Sequence, residues 1–281
     1  MRSGLLIIVL LAIVWGSGCN IINPDEQIPT YVHVDSFKFI DDRPGLTGSV
    51  SHDIKSVWAF FDGQTVGVFD LPANIPVLAG KEGELKLAPG IDNQGLTTYQ
   101  ELYPFYTIYT TSLSPEPGKV VTLVPETKYV TDIKAFKEDF ESQGMSLVKL
   151  SGDTSFIRVT DQDKVFEGGG AAYLQLNTSM PNSESIMAIG TKPVDNAFLE
   201  FNYKANVDFT VGIYVFGVNT SSYLAGVTGK GDGWKKFYVN IYNYIKQYPN
   251  ATNLGILIKS SLPEGQTDGY VLLDNIKVIS F

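Results

Sequence analysis

The chain holds one cysteine, two histidines and three arginines among 281 residues, and each shortage removes a class of chemistry. A single cysteine forms no internal disulfide, so the fold must rest on its hydrophobic core. It builds no paired-cysteine zinc site either, and no HExxH motif occurs. Only His33 and His52 can act as bases near neutral pH. His33 lies in an alternating run and His52 in a polar turn, with no Ser/His/Asp order or nucleophile elbow beside them. Glycoside hydrolysis needs two carboxylates about 5–9.5 Å apart across one sugar ring. The acids of "EDFE" at 138–141 fall at the entry to a segment, not within a groove-lining strand. No catalytic residue is predicted, and the chain reads as a non-enzyme. A net charge of −9 with few arginines argues against nucleic acid. The same balance argues against docking on anionic headgroups.

Long apolar runs are also scarce. The one that exists, Leu5 to Trp15, follows Arg2 and precedes Gly16, Ser17, Gly18 and Cys19. It is shorter than the about 20 residues a spanning helix needs. A basic start, a short apolar core and small residues describe a secretory signal over 1–18. The position of Cys19 resembles the lipobox of bacterial lipoproteins, with a departure at Gly16, where that pattern usually has leucine. The resemblance implies cleavage before Cys19 and its acylation, palmitate included. Each buried acyl methylene adds about 0.8 kcal/mol of membrane affinity. Residues 19–30 then read as a polar, proline-bearing tether. Asp25 and Glu26 within it are similar to the acidic export signals of Bacteroidota surface lipoproteins. These features imply a membrane partner through the anchor and an outer-membrane location. The cell surface is the expected face, with the periplasmic face as the alternative.

Helical periodicity is the third absence. From Tyr31 the period is two, with Val32 and Val34 on one face of "YVHVDSFKF" and Tyr31 and His33 on the other. Asp62-Gly63 between two apolar runs signals a tight hairpin. Residues 31–126 are expected to form a small immunoglobulin-like or transthyretin-like β-sandwich. Its Trp58 is only analogous to the antibody core tryptophan, because the cysteine pair is absent. Residues 127–135 read as a linker. Charges around Ile133 to Phe140 support a helical turn or two, in competition with a strand from Phe136. Nine strand-like runs over 136–281 favour a two-sheet jelly roll, making the chain all-β.

The second segment carries "EDFES" (138–142), "FEGGGAAYLQL" (166–176), "GWKKFYVNI" (233–241) and "LLDNIKVI" (272–279) in that order. Together these stretches resemble the galactose-binding-like jelly rolls of carbohydrate-binding modules. The whole chain is similar to two-domain outer-membrane lipoproteins of Bacteroidota. The resemblance implies a carbohydrate-binding or adhesion-type role, with a glycan partner. It also implies a structural Ca²⁺ where early and late strand ends meet, with Glu141, Glu167 and Asp274 as ligands. Ca²⁺ takes six to eight oxygens, so loop carbonyls would complete that set. Aromatics are plentiful. Tyr214, Phe216 and Trp234 lie in apolar runs and are expected in the core, whereas Tyr223, Tyr242, Tyr244 and Tyr248 are expected to be exposed and ligand-binding. Exposed tyrosines mark protein interfaces equally well. The rival role is therefore an accessory subunit of an outer-membrane transport or assembly complex, with an outer-membrane protein as partner.

Overall fold

The computed structural model describes residues 26–281 apart from 79 and 232, so Cys19 and the signal lie outside the described residues. The first part contains β1 (Thr30–Val34), β2 (Lys38–Phe39), β3 (Ile54–Phe61), β4 (Gln64–Asp70) and β5 (Ala73–Val77). It continues with β6 (Gly83–Asp92), β7 (Gln100–Leu102), β8 (Tyr109–Leu113), β9 (Val120–Leu123) and β10 (Glu126–Thr127). The second part runs through β11 (Lys134–Glu138), β12 (Leu147–Gly152), β13 (Ile157–Val159), β14 (Ala171–Asn177), β15 (Asn182–Thr191) and β16 (Ala197–Ala205). It ends with β17 (Phe209–Val215), β18 (Thr220–Val227), β19 (Lys235–Asn240), β20 (Asn253–Ser261) and β21 (Asp268–Ser280). Two single-turn helices, α1 (Pro44–Thr47) and α2 (Tyr242–Ile245), interrupt the strands.

The first sandwich packs the sheet β5-β1-β9 and the sheet β4-β3-β6, with β7 and β8 on the far edge of β6, into one core. Val32 and Val34 of β1 are fully buried and Tyr31 is exposed, as alternation requires. The β3–β4 hairpin turns through Asp62 at φ 47° and Gly63 at φ 76°. Both residues are left-handed, the conformation that Asp-Gly supplies in a two-residue turn. Trp58 is half-buried in β3 and stands outside the core.

The second sandwich is a jelly roll. Its five-stranded sheet has the order β12-β15-β20-β17-β18, and its six-stranded sheet the order β13-β14-β21-β16-β19 with β11 also on β21. The charged segment before it is strand, not helix. Residues from Lys134 to Glu138 pair antiparallel with Ser280 to Ile276, so sheet pairing outweighs the weak local helical signal.

Both faces of the six-stranded sheet are covered. On β16, Leu199, Phe201 and Tyr203 enter the core of the second sandwich, while Phe198 points the other way and joins the core of the first. Tyr238 of β19 and Ile279 of β21 do the same. The ring of Tyr103 meets Phe198 at 5.1 Å and Tyr238 at 5.3 Å between centroids. Two-sided burial is why these strands read as nearly continuous apolar runs.

One carboxylate interrupts that seam. Glu200 is fully buried and accepts hydrogen bonds from the hydroxyls of Tyr103 and Tyr129, the latter at 3.0 Å. Lys236 lies 3.1 Å from Oε2. Lys277 donates to the Ser49 carbonyl at 3.1 Å and to the Tyr129 hydroxyl at 3.4 Å. Burial alone would push the Glu200 carboxyl up, but the Lys236 and Lys277 ammonium groups and Tyr103 hold it below its ordinary value. Burial, reinforced by Lys236, brings Lys277 down to about 7.

Candidate ligand-binding cleft

Beside this seam the sandwiches diverge and leave a cleft of about 630 Å³. That volume lies within the range of small-molecule sites. The first sandwich contributes His52 and Asp53 before β3, Asp92 at the end of β6, and Gln94. The second contributes Asn202 and Tyr203 of β16, Lys236 and Tyr238 of β19, and the rings of Trp234 and Phe166. The walls are tied together directly. Asp53 N–H donates to the Tyr238 hydroxyl at 3.0 Å, Gln94 N–H to the Tyr238 carbonyl at 2.8 Å, and Asn202 Nδ2 to Ser51 Oγ at 2.8 Å. Trp234 and Phe166 are half-buried, with ring centroids 5.6 Å apart and planes inclined at 59°.

Polarity in the cleft is unfinished. Among the described residues, eight buried side-chain polar atoms lack a hydrogen-bond partner, and four of them line this cavity: His52 Nδ1, Asp92 Oδ1, Asn202 Oδ1 and Lys236 Nζ. The Lys236 ammonium keeps its ion pair with Glu200 but makes no well-directed hydrogen bond. A buried polar group left unpaired costs about 1–3 kcal/mol.

The charges are arranged unevenly. Burial pushes the His52 imidazole below its ordinary value, with Asp53 opposing, so the ring is neutral at pH 7. Burial raises the Asp92 carboxyl, and Asp53 raises it further. Asp53 itself is paired with Lys55 at 2.7 Å. The Tyr203 hydroxyl is pushed up by burial and then by Asp53. Acceptors, an ammonium donor, a neutral imidazole and two ring faces together suit a small molecule with many hydroxyls and an apolar side.

The sequence-predicted residues fall elsewhere. Tyr223 is 44% exposed on the outer face of the five-stranded sheet. Its hydroxyl donates to Glu184 Oε1 at 2.6 Å, Ser151 donates to Glu184 Oε2 at 2.7 Å, and the Lys259 ammonium lies 5.4 Å from the ring centre. Burial and Glu184 push the Tyr223 hydroxyl up to about 12. Tyr242, Tyr244 and Tyr248 are not an exposed cluster. They are half-buried against the core of the second sandwich, because α2 and its flank fold Ile245 inward. Trp234, expected in the core, precedes β19 and lines the cleft instead. Tyr214 and Phe216 are half-buried, edge to face at 5.0 Å.

Glu141, Glu167 and Asp274 gather around the loop at 166–170. Glu141 accepts the Gly169 N–H at 2.9 and 3.0 Å. Asp274 accepts the N–H groups of Phe166 at 3.2 Å, Glu167 at 3.4 Å and Asn275 at 2.8 Å, and Glu167 Oε1 accepts from Asn275 Nδ2 at 2.8 Å. Each carboxylate thus faces backbone or amide donors. Among the described residues no three His, Cys, Asp or Glu side chains are placed to hold a metal ion. Burial pushes Asp274 up to about 7. Gly168, at φ 72°, leaves room for the Glu141 carboxylate, which a Cβ there would meet at 2.1 Å.

His52, Trp234 and Phe166 escaped sequence reasoning because local polarity and apolarity do not say which sandwich faces a residue. The glycines of "GKGDGW", which break the strand pattern ahead of Trp234, were the available signal.

No protein-family model matches the chain, and no curated protein matches it. Solved structures similar to it include the module TmCBM61 in complex with β-1,4-galactotriose, at 12% identity and TM-score 0.34, over 47% of this chain and 85% of that one. A second comes from a study of promiscuous specificity in carbohydrate-binding modules of the β-sandwich superfamily, at 15% identity and TM-score 0.40, over 90% and 98%. A third is the K2 cleaved adhesin domain of Lys-gingipain, at 15% identity and TM-score 0.36, over 51% and 98%. Likeness at this level leaves the ligand and the site to the geometry of this chain.

Proposed function

We propose that the protein binds carbohydrate in the cleft between its two sandwiches, without turning it over, while anchored in the outer membrane through acylated Cys19. The observation that carries this reading is the cleft's lining, in which the half-buried polar side chains of His52, Asp53, Asp92 and Gln94 stand beside the half-buried rings of Trp234 and Phe166. Sugar hydroxyls would meet the half-buried side chains of Asp53, Asp92 and Gln94, while the apolar ring face packs on the aromatics. The tether at 19–30 and the run ending at Cys19 support display from a membrane.

The test is a glycan array probed with the detergent-solubilised full chain and its Trp234→Ala variant. The wild type is expected to retain at least one glycan, which is recovered intact. Trp234→Ala is expected to lower affinity at least tenfold, about 1.4 kcal/mol. Absence of retention, or retention indifferent to Trp234, overturns the reading. Co-purification with a β-barrel protein alongside an empty array would favour the accessory-subunit role.

A further inference from the structure

The cleft is open at one end. Gly226 and Thr228, at and just after the end of β18, line it and also line a second depression of about 420 Å³. That depression is bounded by Asp208, Thr210, Lys259 and Ser261. Lys259 in turn carries its ammonium over the ring of Tyr223, 5.4 Å from the centre. The cavity between the sandwiches, the second depression and the outer sheet face therefore adjoin through shared residues.

Gly226 is the saddle between the two hollows. It is exposed, and a Cβ added there would meet nothing within 4 Å. The turn beyond it is held in place, since Gly229 N–H donates to Asp208 Oδ1 at 2.9 Å. Gly229 also lies so close to Val207 that a Cβ would stand 2.1 Å from the Val207 carbonyl oxygen.

We infer that the ligand is a linear saccharide chain that runs from the Trp234 end of the cleft, across Gly226, to Lys259 and Tyr223. This rests on the carbohydrate reading above and extends it from a class of molecule to a shape. A single sugar would leave most of the groove idle. A chain meets a polar group in each hollow and a further ring at Tyr223, so its affinity grows with each unit until the groove is occupied.

The experiment uses the full chain in detergent and ladders of two to eight units from linear glucan, mannan and galactan, read by calorimetry. For the wild type, affinity on the bound ladder is expected to rise at least tenfold with length and then level off. Gly226→Phe places a ring on the saddle, where an added Cβ meets nothing within 4 Å. It is expected to reduce long chains to the affinity of short ones while Tm stays unchanged. Lys259→Ala is expected to weaken only the longer members, which keeps the test decisive if Gly226→Phe folds poorly. Trp234→Ala is expected to weaken every member. Affinity independent of length, or ladders unchanged in both Gly226→Phe and Lys259→Ala, overturns the chain and leaves carbohydrate binding standing. Binding of no ladder overturns both.

Discussion

Glu200 and Asn202 sit two residues apart on the same face of β16, and both are inaccessible to solvent, yet they belong to different kinds of place. Glu200 meets two tyrosine hydroxyls and an ammonium group. Asn202 donates through Nδ2 to Ser51, and its carbonyl oxygen meets nothing. Lys236 borders both regions. Equal burial thus yields a closed seam where polar groups complete one another, and a receptive cavity where they do not. Asp274 extends the contrast. It is as buried as Glu200, but with no ammonium group beside it, backbone donors fail to offset burial and its carboxyl moves up rather than down.

The strongest way to break this comparison is Glu200→Ala, which leaves Lys236 and Lys277 buried without their counter-charge. A loss of about 3–5 kcal/mol in denaturant unfolding is expected. A loss below about 1 kcal/mol would mean the seam is no more complete than the cleft. Asp274→Asn acts in the opposite sense. With its folded pKa raised to about 7, this carboxyl's contribution to stability is fully present below about pH 4 and is lost as the pH rises through 7. Asparagine keeps one acceptor oxygen, enough for the Phe166 and Glu167 N–H groups but not also for that of Asn275, and removes that loss. The variant should therefore gain about 4 kcal/mol on the wild type between pH 4 and pH 8. A constant offset across a pH series of melts would contradict the assignment. Smallest of all is Asn202→Ala, which removes one hydrogen bond together with an unpartnered acceptor. Its stability should stay within about 1 kcal/mol of wild type. Because its Nδ2 ties the cleft walls through Ser51, affinity for the glycan retained on the array should nevertheless fall several-fold, and calorimetry alongside unfolding would expose the reverse pattern.

Much of the β architecture was legible because its signals are local. Alternation placed Val32 and Val34 inward, and Asp62-Gly63 closed its hairpin. Tyr223 lies exposed beside Asn219 and Ser221, as its polar surroundings suggested. The seam was not legible, since Tyr103, Tyr129, Glu200, Lys236 and Lys277 meet only after the sandwiches pack. Two clues were nevertheless present: Glu200 inside "AFLEF" and Lys277 inside "NIKVI" are charges in runs too apolar for solvent. At 133–140 the local charges left a helical turn in competition with a strand from Phe136, and a long-range pairing with β21 decided for the strand. The tyrosines of 242–248 misled for a related reason. Their polar neighbours gave no sign that Ile245 draws the whole turn onto the core.

That long strand also governs how the molecule is made. β21 pairs with β11 and β14 along one edge and with β16 along the other, so the six-stranded sheet is stitched by residues 268–280. During synthesis its three partners emerge first and wait, their edges unpaired. A nascent chain that stops short of residue 268 cannot close the second sandwich, seat the first against it, or form the walls between them. Closure of the second sandwich therefore waits on pairings that are all distant in sequence, the slow kind of contact in folding.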